Sequence, residues 1–153
     1  MPSMHSLIPL AVLIACGADE PAAAAGAPVP TAAAAPAEPG EIDVAGLKER
    51  LDGGTVRLID VRTPAEYADA RVPGAVNIPL SELAGRMDEI SSDRSAEVFL
   101  ICASGGRSGR ATAALADAGF RKPVNVVGGT NAWKAAGLPV DSGSPTAGDG
   151  RVE

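Results

Sequence analysis

From residue 41 to residue 140 the chain is predicted to form an α/β domain, a parallel sheet with helices on both faces. Three observations predict it: short β-branched runs alternate with helical periodicity, each run is bounded by polar, glycine or proline residues, and no internal repeat interrupts the alternation. Parallel neighbours joined through helices require right-handed crossovers. Taking the elements in order, Ile42 makes a very short strand. Val44, Leu47 and Leu51 then line one face of a helix that Gly53-Gly54 ends. Val56-Arg57-Leu58-Ile59-Asp60-Val61 reads as a buried strand. Thr63-Pro64-Ala65-Glu66 has the form of a capping box with proline at the first helical position, so a helix starts there.

Val76 to Ile78 adds a second very short strand, and Leu80, Leu83, Met87 and Ile90 recur at one-face spacing, which predicts a helix across them. Val98-Phe99-Leu100-Ile101 is the next strand. A helix follows from about Gly109, with Ala111, Ala114, Leu115 and Ala118 on one face before Gly119. Val124-Asn125-Val126-Val127 is the last strand. Gly128-Gly129 precede a final helix starting near Thr130, which puts Trp133 about one turn inside it as a core residue.

The remaining residues belong to flanks. The chain has 153 residues, a length that suits one domain with tails. Leu7 to Ala15 is an apolar run that includes Pro9, too short to span a bilayer, which takes about 20 residues. It reads as the core of a signal peptide over residues 1–15. Leu13-Ile14-Ala15-Cys16 resembles the lipobox of bacterial lipoproteins, which implies cleavage before Cys16, a lipid on Cys16 and a periplasm-facing, lipid-anchored place in the cell envelope. Met1 to Ser6 departs from that pattern in holding no Lys or Arg, and the alternative is an ordinary cysteine in a signal without a lipid. Residues 16–40 are rich in Ala, Pro and Gly, and Pro21, Pro28, Pro30, Pro36 and Pro39 break each Ala run before a helix can form. They read as an extended tether reaching up to roughly 75 Å. Residues 141–153 are mostly Gly, Ser and charge and read as a frayed tail.

Composition removes several function classes. Thirteen Lys and Arg against 19 Asp and Glu leave a formal charge of −6, without the cationic surplus that nucleic-acid binding needs. One Trp, one Tyr and two Phe supply few stacking platforms for single strands. Two cysteines and a single histidine, His5, make neither a disulfide framework nor a zinc site.

Chemistry is expected where strands of a parallel sheet run out into helix N-termini. There the Val98–Ile101 strand leads into Cys102-Ala103-Ser104-Gly105-Gly106-Arg107-Ser108. Cys102 is the only cysteine of the folded region. Two glycines that let backbone N–H groups turn inward, a following helix N-terminus and Arg107 all favour an anion, so its thiolate is expected to form more readily than that of a free thiol. The competing reading is a small apolar residue closing a buried strand, and the glycine pair with Arg107 favours the reactive one. The loop lacks the lysine and the glycine spacing of a nucleotide-binding P-loop.

Three segments, LIDVRTPAEYADARVPGAVNIPLSEL (58–83), CASGGRS (102–108) and VVGGTNAWKAAGLPV (126–140), together resemble a single-domain rhodanese, a sulfurtransferase. The resemblance covers nearly all of residues 41–140. It implies a five-stranded parallel sheet, a persulfide carried on Cys102, a surrounding loop from Ala103 to Arg107, and no metal or organic cofactor. Asp60 and Arg62 match the family's Asp-x-Arg. Ala70-Arg71 stands where the family often has Gly-His, so Arg71 joins Asp60 and Arg62 as a supporting residue. The expected partners are a small sulfur donor such as thiosulfate and a thiol or cyanide acceptor, with a protein acceptor as a further possibility. Inward N–H groups from about Ala103 to Ser108 would stabilise the persulfide anion without a general base. Arg107 either attracts the anionic donor or holds the loop, Asp60 and Arg62 fix loops, and Glu66 caps its helix. The small residues of the loop imply a small, open pocket. Cysteine-dependent phosphatases resemble this architecture but place their arginine six positions after the nucleophile, against five here. The alternative function is a docking or persulfide-sensing module that turns over no small molecule.

Overall fold

The computed structural model describes residues 38–144. The expected signal peptide, Cys16, residues 17–37 of the tether and residues 145–153 of the tail lie outside them. The elements are β1 (Gly40–Ile42), α1 (Val44–Asp52), β2 (Arg57–Asp60), α2 (Pro64–Asp69), β3 (Val76–Asn77), α3 (Met87–Ile90), β4 (Glu97–Ile101), α4 (Gly106–Asp117), β5 (Lys122–Val126) and α5 (Gly129–Ala135). The five strands form one parallel sheet in the order β1-β5-β4-β2-β3. This is the predicted fold class, with helices on both faces.

Strand periodicity decides which face each residue serves. Along β4, Val98 and Leu100 pack with Ile90 of α3 and Ala111 and Leu115 of α4. Phe99 and Ile101 pack on the opposite face with Leu47 of α1, Tyr67 of α2 and Trp133 of α5. Continuing the alternation one step past Ile101 puts Cys102 on the α4 face, where it belongs to the first of these two clusters. Trp133 is buried, as expected, and its Nε1–H donates to the Pro139 carbonyl.

Local signals place the helices. Asp43 caps α1, its side chain accepting from the Gly46 N–H at 2.8 Å. The capping box of α2 is complete: Thr63 Oγ1 accepts from the Glu66 N–H, and Glu66 Oε2 accepts from the Thr63 N–H. The helix expected across Leu80–Ile90 does not form as one piece. A 3-10 turn at Leu83–Gly85 gives way to the single turn of α3, because Gly85 and the non-helical Arg86 (φ −122°, ψ 19°) divide it. Its apolar spacing still serves the core, with Leu83 and Ile90 buried and Leu80 and Met87 packed against the same cluster. Helix α4 starts at Gly106 rather than near Gly109, so Arg107 and Ser108 lie in its first turn. Gly105 makes this possible by taking the left-handed conformation (φ 103°) that turns the strand exit directly into the helix.

Contacts to the sheet and its helices are also made by residues on either side of 41–140. Gly40 pairs with Val124, and the Glu38 N–H donates to the Arg121 carbonyl. Asp141 bridges Arg71, and the Gly143 N–H donates to the Ala68 carbonyl, so the first three residues of the expected frayed tail are tied to the domain. Arg71 secures them: its Nη1 donates to the Gly143 carbonyl at 2.8 Å and its guanidinium stacks over the Tyr67 ring.

At the end of β2, Asp60 and Arg62 are 0% and 4% exposed and form a bidentate pair with contacts of 2.6–3.0 Å. Arg62 Nη2 also donates to the Ala70 carbonyl at 2.7 Å. Asn77 Nδ2 completes the corner by donating to the carbonyls of Asp60 and Arg62. Removing one partner of such a pair strands a buried charge. Asp60→Ala is therefore expected to lower the unfolding free energy by about 3–5 kcal/mol, measured by urea denaturation.

Candidate active site

Cys102 is the first residue beyond β4, which is flanked on both sides by β2 and β5, so it sits at the middle of the sheet's carboxyl edge. The loop that follows is held by its carbonyls. The Cys102 carbonyl accepts from the Thr130 N–H at 2.8 Å and from Thr130 Oγ1 at 3.3 Å, and the Ala103 carbonyl accepts from the Asn131 N–H at 3.0 Å. These donors belong to the first turn of α5, where helix N–H groups have no partner within their own helix. Contact this close leaves no room for a side chain on Gly129. A Cβ there would lie 2.2 Å from the Cys102 carbonyl oxygen, and φ is +56°.

Further along, the loop presents an amide to the sulfur. The Gly105 N–H donates to Sγ at 3.0 Å, and the Ser104 and Ser108 amides add to the lowering of its pKa. Ser108 Oγ lies 3.3 Å from Sγ. Burial is the largest single influence on the thiol and pushes its pKa up. The Ser108 hydroxyl and the three amides together outweigh it and hold the pKa below the ordinary thiol value. The thiolate is accordingly the favoured form relative to a free cysteine. The sulfur is less accessible than the expected open pocket implies, since Cys102 is only 1% exposed.

Arg107 points along the surface to α2. Its Nη1 and Nη2 donate to Glu66 Oε2 and Oε1 at 2.8 and 2.7 Å. Arg107 holds the Glu66 carboxyl down to about 2, burial partly opposing and Thr63 assisting. Glu66 in turn raises the Arg107 pKa above its ordinary value. The pair spans α2 and α4 above β2 and β4, so the capping residue of one helix also fixes the arginine of the reactive loop. A cleft of about 370 Å³ opens beside Arg107, walled by Val61, Pro79 and Leu80 with Thr63 and Ser81. A larger cleft of about 490 Å³, among Arg50, Arg57 and Glu97, opens at the opposite end of the strands, away from the cysteine.

Cys102, Ala103, Ser104, Gly105, Gly106, Arg107 and Ser108 thus form one continuous element, and Asp60 and Arg62 stand at the neighbouring strand end. Arg71 serves the C-terminal segment described above. Sequence reading missed Gly129, Thr130 and Asn131, which hold the loop from α5, and the second role of Glu66. It also missed Asn125, whose Oδ1 lies 2.7 Å from Ser108 Oγ. The glycine pair before the last helix was the one visible signal; the other contacts join residues far apart in the chain. Among the described residues, no group of three or more His, Cys, Asp or Glu side chains is placed to hold a metal ion.

Comparison with known proteins agrees with this geometry. Residues 43–136 match the family described as the rhodanese-like domain. The chain is 43% identical over 101 residues to a protein named sulfurtransferase from Allochromatium vinosum, covering 65% of this chain and 92% of that one. It is 37% identical over 94 residues to the putative sulfur carrier protein YrkF of Bacillus subtilis, covering 61% of this chain but only half of that longer protein. The solution structure of the rhodanese-like domain of the Anabaena protein Alr3790 superimposes with a TM-score of 0.63 at 28% identity, covering 76% of this chain and 88% of that one. A cysteine at the exit of the central strand, wrapped by amides and set in this five-stranded parallel sheet, accords with these relationships, and the chain belongs to the rhodanese-like sulfurtransferase family.

Proposed function

We propose that the chain moves sulfane sulfur from a donor such as thiosulfate to a thiol or cyanide acceptor through a persulfide on Cys102. The observation that carries this reading is the Gly105 N–H donating to Sγ at 3.0 Å beside the Ser108 hydroxyl at 3.3 Å, the Ser104 and Ser108 amides also favouring the thiolate. In the first half-reaction the Cys102 thiolate attacks the outer sulfur of the donor. The S–S bond of the donor breaks, and sulfite leaves with the bonding pair. The persulfide anion is then stabilised by the same amides, which need no rearrangement to receive charge. In the second half-reaction the acceptor nucleophile attacks the terminal sulfur, the Cys102–sulfur bond breaks, and the thiolate returns. No oxidant is consumed, and no general base is required once the thiolate is present.

Arg107 acts in this scheme chiefly by shaping the loop. Both of its terminal nitrogens are committed to Glu66, and the carboxylate neutralises its charge at the site mouth. A donor is therefore held by loop amides more than by an arginine clamp.

Three outcomes test the reading. In the chain carrying Cys16→Ser, incubation with thiosulfate should add the mass of one sulfur, and cyanide should remove it as thiocyanate. Adding Cys102→Ser should abolish both, whereas a chain that never gains sulfur leaves only the docking or sensing reading. Ser108→Ala removes a hydrogen bond that favours the thiolate, so the pH profile of sulfur loading should move upward by about one unit. Glu66 has a folded pKa of about 2 against an ordinary 4.5, so its stabilising effect is present above pH 4.5 and fades as pH falls towards 2. Because the pair is about a third exposed, Glu66→Gln should cost about 1 kcal/mol at neutral pH and only a small part of that near pH 2, read by denaturant titration at both.

A further inference from the structure

The Ser108 hydroxyl beside the sulfur is one member of a hydrogen-bonded line that crosses from α4 through β5 to the edge strand β1. Ser108 Oγ lies 3.3 Å from Cys102 Sγ, 3.2 Å from the Gly105 carbonyl and 2.7 Å from Asn125 Oδ1. Asn125 Nδ2 donates to Glu41 Oε1 at 3.3 Å. Ser108 and Asn125 are buried, while Glu41 is exposed and borders an open cleft of about 270 Å³.

A hydroxyl carries one hydrogen, and an amide oxygen can only accept. The 2.7 Å approach of Ser108 Oγ to Asn125 Oδ1 is therefore favourable when the Ser108 hydrogen lies between them, so the amide oxygen competes with the sulfur, 3.3 Å away, for that one hydrogen. Glu41 accounts for this orientation. Its carboxylate accepts hydrogen bonds and donates none, so it keeps the Asn125 nitrogen facing outward and the amide oxygen facing Ser108. Were the amide reversed, its nitrogen would donate to Ser108 Oγ, and the hydroxyl hydrogen would be free to turn to the sulfur.

We propose that Asn125 and Glu41 are positioning residues, Glu41 fixing which end of the Asn125 amide faces Ser108 and thereby limiting the share of the Ser108 hydrogen that reaches Cys102. The inference builds on Cys102 being the reacting thiol of the transfer cycle. Among the described residues, the other charged groups at this end of the sheet are Arg107 on α4, paired with Glu66 of α2, and the Asp60–Arg62 pair at the end of β2. None of these hydrogen-bonds to the relay, so substitutions at its outer end leave them in place.

The test is the pH dependence of Cys102 alkylation by iodoacetamide in the full chain carrying Cys16→Ser. Its midpoint reports thiolate formation and does not depend on sulfur transfer. Glu41→Ala releases the amide and Asn125→Ala removes the competing oxygen, so each should lower the midpoint by about half a unit. The double variant should go no lower than Asn125→Ala alone, because both act through the same hydrogen. Glu41 is exposed on an edge strand, so its variant should keep the fold, checked by circular dichroism. A midpoint that is unchanged or raised in folded Glu41→Ala overturns the proposal, whatever Asn125→Ala does. A chain that shows these shifts yet never gains sulfur would refute the transfer cycle and leave the relay standing.

Discussion

The geometry of the site depends on where two carbonyl groups point. The Cys102 and Ala103 carbonyls are drawn to the Thr130 and Asn131 N–H groups at 2.8 and 3.0 Å, and because a trans peptide points its C=O and N–H to opposite sides, the Ala103 and Ser104 N–H groups face the other way. Only a glycine at position 129 allows the approach, since any Cβ would strike the Cys102 carbonyl oxygen. The final helix therefore acts on the chemistry without touching the sulfur. Its first turn supplies otherwise unpaired donors, and the reactive loop supplies the carbonyls that accept from them.

Two ion pairs border this loop and do different work because they differ in burial. Asp60–Arg62 is enclosed, bidentate and further satisfied by the Ala70 carbonyl, so it fixes the exit of β2 as a rigid corner. Glu66–Arg107 lies at the surface and joins α2 to α4, where solvent screens it and its contribution is mainly orientation. Enclosure of the cysteine has a similar double effect. Burial taken alone disfavours the thiolate, and it is the number of donors brought to the sulfur that reverses the balance. A loop of the same composition without those converging amides would leave Cys102 an inert core residue, the structural alternative that its position in the sequence also allows.

Much of this was legible in the residues themselves, because it rests on local pattern. Alternation of β-branched runs with helical spacing marks the α/β class. Thr63-Pro64-Ala65-Glu66 states its own capping box, and the two-residue period of β4 carries on to put Cys102 beside α4. Local pattern also misled. Leu80, Leu83, Met87 and Ile90 have the spacing of a single helix, yet burial requires only that these side chains reach the core, and a broken path through Gly85 and Arg86 meets that need equally well. Likewise Asp141–Gly143 has the composition of a loose tail, but Arg71 and the Ala68 carbonyl lie within reach and hold it.

By itself, then, the sequence determined the alternating architecture, the start of α2 marked by its capping box and the one cysteine of the described residues at a strand exit, since each follows from residues a few positions apart. Tertiary structure alone decided that α5 holds the Cys102 and Ala103 carbonyls, that Glu66 grips Arg107 across 41 positions, and that Asn125 and Glu41 stand behind Ser108. Those contacts join distant parts of the chain, and parallel strands meet only after a crossover has carried the chain back, so no short-range pattern encodes them.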